Sequence, residues 1–194
     1  MLAAIKYNLT HLTQFGGRDA RQTFWFYVLF LVLVHVGVSM AISIPLTGSM
    51  LGDTIVAARQ GTGEAEVQRR MMEHMGTLMR ASMWVSAGLS LAMLALLGAS
   101  FTRRLHDSGK PGWIAGVAAA IQLIALALAI ARIDEAIRMV ELVQSGNIEA
   151  ARTMQSQFAV QSLLGWVPAA LVIVFGVMAS TAGDNRYGPE PQPN

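Results

Sequence analysis

Cysteine is absent from the 194 residues. Without it there is no disulfide frame, no thiolate nucleophile and no cysteine metal site, and the redox compartment is left open. Charge is also scarce. Asp, Glu, Lys and Arg together make up 13% of the chain, against the usual quarter of a soluble domain. The net charge of +2 offers no basic face, so nucleic acid is excluded as a partner. What fills the chain instead is apolar: 54% of the residues, with a mean hydropathy of +0.47. These residues gather into separate blocks rather than spreading evenly, which predicts several membrane spans and not one soluble core.

The blocks place four transmembrane helices at about 23–44, 82–101, 113–131 and 163–182, in one all-α membrane domain covering 1–194 with a tail at 183–194. Each block is long enough at 1.5 Å per residue for a hydrocarbon core of about 30 Å. The first opens on an interfacial aromatic cluster, Phe24, Trp25, Phe26 and Tyr27, and is expected to close at Pro45. A signal peptide is the competing reading there, but the run is too long and its basic leader too distant. Ahead of it, Leu2, Ile5, Leu9, Leu12 and Phe15 recur at helical spacing, which predicts a terminal amphipathic helix on the membrane surface.

Two longer polar segments separate the spans. In 46–81, Gly48, Gly52, Gly61 and Gly63 break the first part. Val67, Met71, Met75, Leu78 and Met79 then line one helical face, which predicts a helix running straight into the second span. In 132–162 a helical face continues the third span, turns at Ser145-Gly146-Asn147 and resumes into the fourth, where Pro168 is a candidate kink. The two segments resemble each other enough to suggest a duplicated helical hairpin. Small residues four apart, Gly88 and Ala92 on the second span and Gly112, Gly116 and Ala120 on the third, predict close helix packing in lipid.

Between the second and third spans lies the sharpest polar interruption, Arg103 to Trp113, read as RRLHDSGKPGW. Four spans place it on the same side as the N-terminal arm and the tail. That side carries seven basic residues against four acids, and the other side seven against eight. Arg18, Arg21, Arg103, Arg104 and Lys110 lie close to span ends, where basic residues mark the cytoplasmic side. Both termini are therefore expected in the cytoplasm.

Three segments on that side carry a family pattern. GGRDARQTFWFY (16–27), RRLHDSGKPGW (103–113) and GDNRYGPEP (183–191) resemble the bacterial membrane proteins grouped as domain of unknown function 805. The resemblance implies a multi-pass protein of the bacterial inner membrane and brings no reaction with it. The chain departs from the usual pattern after the basic turn, where it reads Pro111-Gly112-Trp113-Ile114, and its two loops are longer than is typical.

These segments predict one composite patch formed by Arg18, Arg21, Arg103, Arg104, His106, Asp107, Asn185, Arg186 and Tyr187. Charges at a membrane interface must be paired or hydrated. The plain reading is a staple in which Asp19, Asp107 and Asp184 pair with the arginines and tie the helices together. The sharper reading is a site for an anionic lipid headgroup or an acidic partner segment, which guanidinium forks suit. The two are compatible.

Catalytic readings are weaker. His106 and Asp107 are adjacent, and adjacent side chains rarely face one another. His35 is the one ionisable residue deep in a span, with no carboxylate there to relay to, and reads as a neutral imidazole hydrogen-bonded within the bundle. Glu73-His74 lacks a second histidine at zinc spacing, and the methionines 71, 72, 75 and 79 read as packing. No catalytic residue, metal or cofactor is expected. The chain reads as a non-enzymatic scaffold or adaptor whose partners are the bilayer, anionic lipid, and a second copy or another membrane protein. The alternative is a small oligomeric transporter or channel, which would need a wet cavity joining His35, Gln122 and the serines of the second span.

Overall fold

In the computed structural model the chain is helical apart from short turns and its tail. The structure describes residues 1–59 and 63–191, with side chains omitted at scattered helix positions between 46 and 73 and at 157, 160 and 161. The described residues form six helices: α1 (Leu2–Thr10), α2 (Arg21–Arg59), α3 (Glu64–Asp107), α4 (Trp113–Ala131), α5 (Ile133–Gln144) and α6 (Ile148–Val177). No strand occurs among them, and an isolated bridge joins Asn185 to Gly188 in the tail.

Three helical stretches are long and apolar enough to cross a membrane: Arg21–Pro45, His74–Asp107 and Trp113–Ala131. Only 11% of the most apolar part of the first and of the third is buried within the chain. Large apolar side chains such as Leu33, Ile44, Leu123 and Ile124 are exposed on the outside of the protein. An apolar surface of that extent needs lipid around it. The chain is thus an all-helical, multi-pass membrane protein.

The stretch expected as a fourth span is shorter than the sequence predicts and is not among the three long enough to cross. The apolar part of α6 is Ser162–Val177, not 163–182. The helix stops because Met178 is extended, with φ −56° and ψ 149°. At the helix end the carbonyls of Gly176 and Met178 accept hydrogen bonds from Arg104, and that of Gly176 also accepts from Trp25 Nε1 at 3.0 Å.

Two other boundaries move. α2 does not close at Pro45 but runs on to Arg59, through Gly48 and Gly52 as well. Membrane helices tolerate such breakers because the lost backbone bond is local, and each internal glycine costs only about 1 kcal/mol. RRLHD is not part of a turn: Arg103 to Asp107 form the last turn of α3. The turn itself is Ser108 to Gly112. There Gly109, at φ +72°, and Lys110 donate their backbone N–H groups to His106 and Leu105 at 3.0 and 2.8 Å, a glycine-terminated helix end.

The helical readings of the two long segments hold in part: the helix after the third span is a separate one, α5, set off from α4 by a turn at Arg132. The amphipathic helix and the second span are one continuous helix, α3, of 44 residues. The turn after α5 falls at Ser145-Gly146-Asn147, with Gly146 at φ +80° and the Asn147 side chain accepting from the Ala150 N–H at 3.3 Å. The matching turn at Gln60-Gly61-Thr62 lies outside the described residues, as do the side chains of Met71 and Met72.

α2 packs on α3, α3 on α4 and α4 on α6, with α6 also touching α3 and α2. α1 lies on α2, and α5 lies against α6 and α3. The tightest packing is at one end, where α3 and α6 finish and α2 and α4 begin. Phe24, Phe101, Leu105 and Ala118 form the buried cluster there, flanked by Leu171 and Phe175. In the expected small-residue stripes, which also include Ala95 and Ala99, Ala99 is buried, and of the glycines Gly112 makes a close approach. A Cβ on Gly88 or Gly116 would meet open space, whereas one on Gly112 would come within 2.9 Å of both His106 Nε2 and Thr102 Cγ2. A Cβ on Gly176 would likewise come within 2.8 Å of Phe24 and 2.9 Å of Trp25.

Candidate functional site

Above that packed end sits a cluster of buried charge. Arg18, Asp19, Arg103, Arg104 and Asp107 all lie out of solvent. Arg103 and Arg104 are the two largest side chains that are fully buried. Successive residues on a helix point about 100° apart, so these two arginines face different neighbours.

Arg103 faces the N-terminal arm. Its Nε donates to Asp19 Oδ1 at 3.1 Å, Nη2 to Asn8 Oδ1 at 2.6 Å, and Nη1 to the carbonyls of His11 and Gln14 at 2.9 and 2.5 Å. The Tyr7 ring lies 5.4 Å from its guanidinium. The second oxygen of Asp19 accepts from the Ser100 hydroxyl at 3.0 Å, and the Asp19 N–H donates to the Arg103 carbonyl at 3.2 Å. Burial pushes the Asp19 carboxyl above its ordinary range, against the downward pull of Arg103 and Ser100. Burial, and then the charge of Asp19, likewise raise the Tyr7 hydroxyl. The arm is therefore docked through polar contacts and not simply laid on lipid, although Leu2 remains exposed.

Arg104 faces α6 and the tail. Its Nε donates to the Gly176 carbonyl at 3.2 Å, Nη1 to Asp107 Oδ2 and Nη2 to the Met178 carbonyl. Asp107 Oδ2 also accepts from the Ser180 hydroxyl. Its other oxygen takes Arg18 Nε at 3.1 Å. Arg18 then spends Nη2 on the Thr181 carbonyl at 2.6 Å, and Nη1 on those of Gly183 and Gly188 at 2.7 and 3.3 Å. One carboxylate thus holds an arginine of the arm and one of α3, and both arginines grip the chain leaving α6.

The tail folds back over this pair. Asn185 donates to the His106 carbonyl at 3.0 Å and to the Thr181 hydroxyl at 2.7 Å, while its own side-chain oxygen accepts from the Tyr187 N–H at 2.8 Å. The Tyr187 ring stacks on His106 with centroids 3.8 Å apart and planes 7° off parallel, and the Arg186 guanidinium sits 4.6 Å from the Tyr187 ring. His106 Nδ1 lies 3.2 Å from the Gly17 carbonyl. No serine, cysteine or carboxylate reaches its ring among the described residues, and no group of three metal-binding side chains occurs there.

Of the nine residues expected in one patch, eight meet in this cluster or on its lid. Arg21 does not: it opens α2 and is exposed. Asp184, expected to pair, is exposed and forms no ion pair among the described residues. Sequence reasoning missed Asn8, Ser100, Ser180, Thr181 and the backbone carbonyls. Ser180 and Thr181 stand just before the tail signature, and Asn8 interrupts the apolar face that Ala4 and Ile5 bury, so each left a faint signal.

Far from the cluster, a cavity of about 420 Å³ opens between α3, α4 and α6, lined by Ser82, Ser86, Ser90 and Gln122 among apolar side chains. His35 is not among its lining residues. Its Nδ1 is buried without a hydrogen-bond partner, so the expected hydrogen bond within the bundle is not formed at that atom.

No curated protein and no solved structure matches the chain. The family described as Protein of unknown function (DUF805) matches residues 12–189, a span that holds all three signatures. The chain belongs to that family.

Proposed function

We propose that the chain is a non-enzymatic scaffold of the bacterial inner membrane, crossing it four times with both termini in the cytoplasm. The buried arginine cluster is its structural clasp. The observation that carries this reading is burial with partners: Arg18, Arg103 and Arg104 are out of solvent, and every one of their guanidinium nitrogens already has a protein acceptor. Buried guanidiniums held in this way are not presented to a headgroup. Contact with anionic lipid or an acidic partner therefore falls to the exposed cations of the same face, Lys6, Arg21 and Arg186. α6 completes the fourth crossing although its apolar part is short, because the bilayer can thin at modest cost over a short helix.

Two measurements test this. A reporter active only outside the inner membrane should be silent when fused after Asn194 and active when inserted at Gly146; the reverse pattern overturns the topology. Lys6→Ala, Arg21→Ala and Arg186→Ala together should lower co-purifying anionic lipid without moving the unfolding midpoint. Unchanged lipid retention would remove the headgroup reading. The second reading, a small oligomeric transporter or channel, is favoured by the cavity holding Gln122 and four serines. It is weakened by the cavity's lack of any charged residue and by its not reaching His35.

A further inference from the structure

The cavity between α3, α4 and α6 lies at the opposite end of the bundle from the clasp. Ser90 is 13 residues ahead of Arg103 on α3, roughly 20 Å along the helix at 1.5 Å per residue. Its polar groups divide into two sets. The hydroxyls of Ser82 and Ser162 are committed to the carbonyls of Met79 and Ala159, each at 2.8 Å. The side chains of Ser86, Ser90 and Gln122 form no hydrogen bond with any described residue. Gln122 is also the one polar side chain in α4, a helix otherwise built of Ala, Leu, Ile, Val, Gly and Trp. An amide facing hydrocarbon without a partner costs several kcal/mol. Ser86 and Ser90 are one turn apart, so they share a face of α3. Among the described residues no charged side chain lines the cavity, and the rest of its wall is apolar, including Leu126 and Phe158.

We propose that this cavity is a binding site for an uncharged amphiphile. Hydroxyl or carbonyl oxygens of the ligand would meet Gln122, Ser86 and Ser90, and its apolar body would lie along Leu126 and Phe158. The volume suits one small ligand, since such sites run from about 300 to 1,000 Å³. The absence of lining charge excludes a carboxylate or ammonium head, whose burial would be uncompensated. The site rests on the four-span reading, which sets α6 in the bilayer.

The test is photo-crosslinking of the full chain in native membranes with three diazirine probes of equal chain length: a monoacylglycerol, the matching fatty acid and the matching alkane. The monoacylglycerol should label peptides from 82–90, 122–130 or 158–165, well above the other two probes. Gln122→Leu, which keeps the volume, should reduce that labelling about five-fold, the weight of one hydrogen bond. Should that variant fail to fold, Ser86→Ala with Ser90→Ala gives the same readout. Labelling by the alkane as strong as by the monoacylglycerol would overturn the proposal, as would labelling indifferent to both variants. A failed reporter topology with labelling intact would instead strike the four-span reading alone.

Discussion

The two ends of α3 carry the same kinds of ion pair under opposite conditions. Near its start, Arg69 pairs with Glu66 at 2.8 Å and Arg80 with Asp134 at 2.9 Å, and both arginine side chains are 56% exposed. At its finish, Arg103 pairs with Asp19 and Arg104 with Asp107, and all four side chains are out of solvent. Water can replace any partner at the first end. Nothing can at the second, so there each charge depends on the full set of its neighbours. One helix thus shows charge used as solvation and charge used as architecture.

The largest break of that contrast should come from Asp107→Ala. It strips the counter-charge from Arg18 and Arg104 together and frees the Ser180 hydroxyl. Removing one partner of a buried pair costs about 3–5 kcal/mol, and here two arginines are stranded at once. A collapse of the unfolding midpoint in detergent is expected, with faster proteolysis of the tail after Val177. A change under about 1 kcal/mol, the scale of an exposed pair, would mean that the buried pair behaves like the exposed one.

Arg103→Leu comes next. It leaves Asp19 buried and unpaired and releases the carbonyls of His11 and Gln14. The cost is again about 3–5 kcal/mol, but the damage should be local to the arm. Cleavage within 11–17 should accelerate while the tail stays protected. Equal exposure of arm and tail would show one merged cluster instead of two halves on two faces of α3.

How those halves divide was only partly legible in the sequence. Arg18, Asp19, Arg103, Arg104 and Asp107 stand out because charge beside an apolar span must find a partner. Their pairing does not stand out, because it is crossed: Arg18 goes to Asp107, while its neighbour Asp19 goes to Arg103. Residues 18–20 are not helical, so these two neighbours are not held on one helix face. Arg18 and Asp19 therefore reach different residues of α3. The backbone acceptors were invisible, since every residue has a carbonyl and only the fold decides which ones lie within reach. The end of α6 shifted for the same reason, because Arg104 takes carbonyls that apolar composition alone would assign to more helix. Of the stripe glycines Gly88, Gly112 and Gly116, Gly112 alone makes a close approach, because a small residue permits close approach without requiring it.

A middle-sized effect follows from that glycine. Gly112→Ala would set a methyl within 2.9 Å of both His106 and Thr102. Overpacking of this kind costs about 1–3 kcal/mol. The displaced ring is the one on which Tyr187 stacks, so the tail should loosen before the arm does. Tryptic cleavage after Arg186, compared with cleavage after Arg18, measures it. Loosening of the arm first would place the strain on the Gly17 side of His106 instead.

The smallest effect is expected from Arg80→Ala, which sharpens the comparison from its other end. Arg80 and Asp134 lie on different helices, as Arg103 and Asp19 lie on different segments, and their separation is as short. Distance alone would rank the two pairs together. Exposure separates them: Asp134 is 80% exposed, so the carboxylate left behind is simply hydrated. The loss should be about 0–1 kcal/mol and should fade further as salt is raised. A loss as large as that of Arg103→Leu, or one indifferent to salt, would show that the far end is also drawn into a water-poor environment. The boundary between solvated and architectural charge would then have to move along α3 toward its start.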